Sequence, residues 1–143
     1  MGYGKAGSFE GFCSGGGIAQ LAQSKLLELF QSGHKASFCG HVEDIGKVTA
    51  KDVADAARSG DPAAIEIYGT SGAYLGHCLS LLIDLLNPEM IIIGSIYARC
   101  EHLLKERCLE TIKRESLAIS CSACEIAPAA LGDDIGLYAA LAL

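Results

Sequence analysis

Residues 85–104 read LLNPEMIIIGSIYARCEHLL. Asn87 and Pro88 close whatever helix precedes them, because proline carries no amide hydrogen and disfavours helical backbone in the residue before it. Met90 to Ile93 is an unbroken apolar run rich in β-branched residues, the pattern of a strand buried on both faces of a parallel sheet. Gly94 ends that run, and a helical pattern follows from about Ala98 to Glu115. Strand, glycine turn and helix together form the unit of an α/β fold, in which ligands sit beyond the carboxyl ends of the strands. A single glycine in that position is a turn before it is a binding loop.

Reading outward, ACEIAPAAL (123–131) is a second strand candidate with Pro128 near its end. Upstream, DPAAIEIYGTSGAYLGHCLSLLIDLLN (61–87) predicts a long helix capped by Asp61, with Pro62 at its first position, where a missing N–H costs nothing. Gly69, Gly72 and Gly76 fall on one face of it and predict a close contact with another backbone rather than a ligand site. TAKDVADAARSG (49–60) predicts a short helix from Thr49 to Gly60 with Asp52 three residues after the cap. IAQLAQSKLLELFQSG (18–33) carries Ile18, Leu21, Ala22, Leu26 and Leu29 on one stripe and stops at Gly33. The segment between, through Val48, shows no period and reads as loop, and GDDIGLYAALAL (132–143) reads as a closing helix capped by Asp133 or Asp134. The expected order is loop, three helices, strand, helix, strand, helix. Two parallel strands make a marginal sheet, so the remaining strands are expected from elsewhere.

Composition narrows the class. The chain has 143 residues, half of them hydrophobic and 20% charged, with a mean hydropathy of +0.33. It is therefore apolar for a soluble domain, and exposed apolar faces are expected to meet a partner. The longest apolar run, AYLGHCLSLLIDLL, is broken by His77 and Asp84 and is too short to cross a membrane. A formal net charge of −6 and scattered basic residues argue against a grip on nucleic acid. The seven cysteines stand singly and in odd number, as free thiols of a cytoplasmic protein do.

Several groups could carry chemistry. His34, Cys39 and His41 in GHKASFCGH give three ligand types on one loop, and Cys121 with Cys124 in CSAC gives one pair; neither supplies the four convergent ligands of a structural zinc site. A redox role for the CSAC pair is disfavoured because it precedes a strand instead of opening a helix. Glu10 lies in the glycine-rich opening GYGKAGSFEGFCSGGG between Phe9 and Phe12. Its carboxylate could accept paired hydrogen bonds from vicinal sugar hydroxyls or simply favour a helix start. No Ser/His/Asp set, HExxH motif or Walker lysine loop occurs.

Four stretches in order, GYGKAGSFEGFCSGGGIAQLA, VTAKDVADAARSGDPAA, LLNPEMIIIGS and ALGDDIGLYAALAL, resemble the C-terminal half of the ROK family of sugar kinases and sugar-responsive repressors. The resemblance implies an α/β fold, the C-terminal lobe of an actin-like, hexokinase-like and ribonuclease H-like ATPase, helix-rich and with an incomplete sheet. Over residues 1–143 it implies one lobe of a longer protein whose N-terminal lobe is absent. By position it assigns Glu10 to sugar binding, and Ser14, Gly15, Gly94 and Ser95 to the nucleotide cleft.

Met1, Tyr3 and Ser8 stand where the family's segment has zinc-binding cysteines, so zinc is not expected, and Tyr3 is expected to pack the loop instead. Ser95 replaces the second glycine of a pair. The catalytic aspartate and phosphate loop lie outside these residues, so the chain by itself is expected to be inactive and no catalytic residue is assigned. The resemblance thus implies a fragment of an ATP- and Mg-dependent kinase of a hexose or N-acetylhexosamine, glucokinase-like. The sugar-sensing part of a repressor and a non-catalytic interaction fragment are the alternatives. Self-association through exposed apolar faces is expected in each case.

Overall fold

The computed structural model describes residues 2, 4–134, 138, 140 and 141. The elements in order are α1 (Glu10–Cys13), α2 (Gly15–Gln31), a 3-10 helix (Val42–Lys47), α3 (Ala50–Arg58), α4 (Pro62–Leu86), β1 (Met90–Ile93), α5 (Ser95–Glu115), α6 (Ala118–Ala123), β2 (Glu125–Pro128) and a 3-10 turn (Gly132–Asp134).

Local chemistry sets most boundaries. The Thr49 side chain accepts from the Asp52 amide while the Asp52 side chain accepts from the Thr49 amide, a complete capping box at the start of α3. Asp61 accepts from the amides of Ala63 and Ala64 ahead of Pro62, and Asn87 ends α4 in the left-handed conformation at φ 45°. Gly60 follows α3 at φ 87°, where a Cβ would be strained.

The long parallel pair α4 and α5, in contact from Tyr68 with Cys100 to His77 with Glu115, is the spine of the molecule. The glycine face of α4 meets α5 as the spacing predicts: a Cβ on Gly72 would lie 2.6 Å from the Leu104 carbonyl oxygen, and one on Gly76 would press on the Cys108 carbonyl. Gly69 is different, with only the Arg107 side chain near, at 3.5 Å. Helices α1, α2 and α3 pack on the same spine. Ile18, Leu26, Val53, Tyr68, Ile83, Tyr97, Leu104 and Cys108 are the largest apolar side chains closed off from solvent between them. Their burial is the main stabilising term.

The sheet has two parallel strands, with Met90 opposite Glu125 and Ile93 opposite Pro128. The amides of Glu125 and Ala129 donate inward to Glu89 and Ile93, both at 2.9 Å. Pro128 therefore faces outward, at the one kind of strand position that tolerates a missing donor. Beside the sheet lie exposed apolar side chains, among them Leu85, Leu86, Ile92 and Ile119.

The structure extends the sequence reading in four places. The segment read as loop holds a 3-10 helix, Val42–Lys47, and the glycine-rich opening holds α1. Helix α5 begins at Ser95, three residues ahead of Ala98, and α6 fills the interval before β2. Most of the closing helix predicted over 132–143 lies outside the described residues. Among those described, no helix is long and apolar enough to cross a membrane.

Candidate functional site

The first turn of α2 is made of Gly15, Gly16 and Gly17, and each position has its own reason. A Cβ on Gly17 would lie 2.7 Å from the backbone of Gly11, so α1 rests directly on this turn. Gly15 and Gly16 face open space apart from the Ile96 methyl, 3.9 Å from a Gly15 Cβ, and the Ser14 hydroxyl. Ser14 caps the helix: its hydroxyl accepts from the Gly17 amide at 3.0 Å and donates to the Glu10 carbonyl at 2.7 Å. The amides of Gly15 and Gly16 are left pointing outward at a helix N-terminus, the geometry that receives anions.

Glu10 opens α1, one turn before Ser14, and its side chain is exposed. It is held from behind, since a Cβ on Gly2 would lie 2.7 Å from the Glu10 Cβ. Ser8 organises the loop. Its hydroxyl accepts from the amides of Gly2 and Gly11, both at 3.2 Å, and lies 3.2 and 3.3 Å from the Gly2 and Lys5 carbonyls. A hydroxyl so engaged is no thiolate ligand, and the donor set of this loop does not fit zinc. Tyr3 and Met1 lie outside the described residues.

The second half of the site is the β1–α5 turn. Gly94 is extended, at φ −94° and ψ −160°. Ser95 sits at φ 54°, in the left-handed region that a serine enters at a cost. The glycine expected at that position by resemblance has a physical reason, and Ser95 carries the strain that a glycine would not. Because Ile96 follows directly and its methyl lies 3.9 Å from where a Gly15 Cβ would stand, the Ser14–Gly15 junction and the Gly94–Ser95 turn are neighbours. Glu10 joins them through its backbone bond to Ser14.

Against this turn lies a cavity of about 520 Å³ between α3 and α5, bordered by Ala50, Lys51, Arg58, Ile96, Arg99 and Cys100 among others. Lys51, Arg58 and Arg99 give it a basic rim, moderated by Asp55, which pairs with Arg58 at 2.7 Å. The sequence reading did not find these residues. Lys51, Arg58 and Arg99 look like ordinary solvated positions on two helices, and only the tertiary fold sets them on one opening.

The remaining candidates are placed elsewhere. His34 and His41 are exposed, and Cys39 is buried with its thiol directed to the His41 carbonyl at 3.3 Å. Cys121 and Cys124 are half-buried at the end of α6, and burial followed by the neighbouring Cys121 pushes the Cys124 thiol up, away from reactivity. Among the described residues no group of three His, Cys, Asp or Glu is set to hold a metal ion.

The helix-rich lobe with its parallel β–turn–α unit beside a glycine-rich helix start has the actin-like fold of its structural neighbours. Residues 2–143 match the ROK family, and the chain belongs to it. It is 31% identical over 134 residues to the glucokinase of Halalkalibacterium halodurans, covering 94% of this chain and 39% of that protein. It is 28% identical over 114 residues to the DNA-binding transcriptional repressor Mlc of Escherichia coli, covering 80% of this chain and 26% of the repressor. Among solved structures, the ROK family glucokinase from Streptomyces griseus in complex with glucose and AMPPNP superposes with a TM-score of 0.70 at 22% identity, over 94% of this chain and 43% of that one. The chain thus spans about two-fifths or less of the length of these proteins.

Proposed function

We propose that this chain is the C-terminal lobe of an ATP-dependent sugar kinase acting on a hexose or N-acetylhexosamine, and that it supplies part of both the sugar and nucleotide sites. The observation that carries the reading is the approach of the Ile96 methyl to within 3.9 Å of where a Gly15 Cβ would stand, which sets the α2 N-terminus and the Gly94–Ser95 turn beside one basic-rimmed cavity. The glucokinase from H. halodurans and the glucose and AMPPNP complex of the S. griseus enzyme support it.

In this reading the Glu10 side chain accepts hydrogen bonds from vicinal sugar hydroxyls, which fixes the sugar's orientation. The free amides of Gly15 and Gly16 receive phosphate oxygens, and the bare backbone at Gly94 admits the nucleoside end into the cavity between α3 and α5. Lys51, Arg58 and Arg99 add positive potential at its mouth. Magnesium, when bound with ATP, spreads the charge on the phosphates. Phosphoryl transfer is catalysed almost wholly by positioning and electrostatics, and it needs a base on the sugar hydroxyl. No residue of this chain is proposed as that base; it belongs to the other lobe, and the chain alone transfers no phosphate. The exposed apolar side chains beside β1 are the surfaces that meet the rest of the protein or a second copy. Neither membrane nor nucleic acid is a partner of this lobe, and the cytoplasm is its proposed location.

A second reading, the sugar-sensing lobe of a repressor, is favoured by the match to Mlc. Titration calorimetry with Mg–ATP separates the two. The kinase reading expects saturable binding that weakens when Arg99 or Lys51 becomes Ala; no binding would overturn it in favour of the repressor. Sugar phosphorylation by the purified chain alone would overturn the single-lobe reading.

A further inference from the structure

The cavity between α3 and α5 has a floor of unusual construction. Tyr68 enters it from α4, is wholly buried, and sends its hydroxyl to the Ala50 carbonyl at the start of α3, at 2.9 Å. The same hydroxyl lies 3.6 Å from the Cys100 sulfur on α5. Ala50 and Cys100 are on opposing walls of the cavity, and Tyr68 lines it between them. Cys100 is also where α5 departs from helical geometry, at φ −127° and ψ 26°, so that the turn Ser95–Arg99 is set at its own angle to the rest of the helix. One phenolic group therefore contacts the end of α3 and the bend in α5 together. Burial, then the neighbouring Cys100, pushes the phenol's pKa well up, and the hydroxyl remains a donor throughout the ordinary pH range.

A phenylalanine ring would fill the same volume. The hydroxyl adds a cost of desolvation that only its bonds offset, which is reason to ask what those bonds hold in place. We propose that Tyr68 is a positioning residue for the nucleotide cavity: its hydroxyl latches the start of α3 to the α5 bend and so fixes the width of the opening beside Ser95 and Ile96. The proposal rests on the reading of that cavity as the nucleotide's, and its structural half can be tested without nucleotide.

Tyr68→Phe keeps the ring and removes the latch. Native alkylation by iodoacetamide, located by mass spectrometry, compares Cys100 with Cys108, which lies on the same helix and is also buried in the parent chain. The latch predicts at least a tenfold faster modification of Cys100 in the variant with Cys108 unchanged. No change at Cys100, or an equal rise at both, overturns it, the second outcome meaning general loosening. Mg–ATP titration of the same variant is expected to show several-fold weaker binding. Unchanged affinity alongside an exposed Cys100 overturns the positioning role. A parent chain that binds no Mg–ATP at all refutes the nucleotide reading itself, and the alkylation result then decides the latch alone.

Discussion

The three glycines of α4 predict opposite responses to one substitution. In Gly72→Ala the new methyl would lie 2.6 Å from the Leu104 carbonyl oxygen and 3.4 Å from its carbonyl and α carbons, all of them backbone, so that α5 must retreat along the whole contact. Overpacking of that kind costs about 1–3 kcal/mol, against a gain of about 1 kcal/mol from replacing glycine inside a helix; contact with unyielding backbone puts the cost near the upper end, for a net loss approaching about 2 kcal/mol. Gly69→Ala meets only the Arg107 side chain at 3.5 Å, an ordinary contact with a stem that can move. It keeps the propensity gain and is expected to stabilise by about 0.5–1 kcal/mol. The two variants should therefore differ by about 2 kcal/mol, or roughly 6 °C in Tm for a chain of this size. Urea and thermal unfolding followed by circular dichroism measure the difference. Equal stability of the two variants, or a stabilised Gly72→Ala, would refute the close approach of α4 and α5 on which the fold's spine depends.

Three further outcomes concern the site and the α4 cap. Ser95→Gly relieves a left-handed serine and is expected to be neutral to about 0.5 kcal/mol stabilising, whereas Ser95→Val is expected to destabilise by more than about 1 kcal/mol in the same unfolding assay. Ser8→Ala removes the hydroxyl that ties Gly2, Lys5 and Gly11, and amide exchange at Gly2 and Gly11 should accelerate about tenfold while α4 amides do not change. Although burial raises the Asp61 pKa, hydrogen bonds from Ser37, Ala64 and Ala63 outweigh it and hold the carboxyl below its usual range. A depressed folded value means that this stability is present above the unfolded pKa of about 3.9 and is lost as pH falls through the folded one. Asp61→Ala should thus be about 1 kcal/mol less stable than the parent at pH 7, and the gap should narrow below about pH 4 in unfolding curves taken across pH.

The legible parts of this fold were those written in short-range chemistry. Thr49 with Asp52, Asp61 with Pro62, and Asn87 with Pro88 each name a helix end by a bond that forms within four residues. Met90 to Ile93 names a strand by composition. Helices α1 and α6, of 4 and 6 residues, are too short for an apolar period to show, and they exist because α2, α4 and α5 hold them. The start of α5 was read late because Ser95 is left-handed and the bend at Cys100 interrupts the periodicity of its first turn. For the site, the glycines and Glu10 were reached through resemblance, while the cavity was not reachable at all. Ala50, Tyr68, Ile96 and Arg99 belong to three helices and share an opening only once α4 and α5 have packed.

The central claim is that the α2 N-terminus and the β1–α5 turn form one nucleotide site. Backbone amide shift mapping of the 15N-labelled chain titrated with Mg–AMPPNP tests it most directly. The account predicts saturable shifts at Gly15, Gly16, Ser95, Ile96 and Arg99, with the α4 surface around Tyr74 and His77 unmoved. Shifts confined to that α4 surface, or none at Gly15 and Ser95, would contradict it.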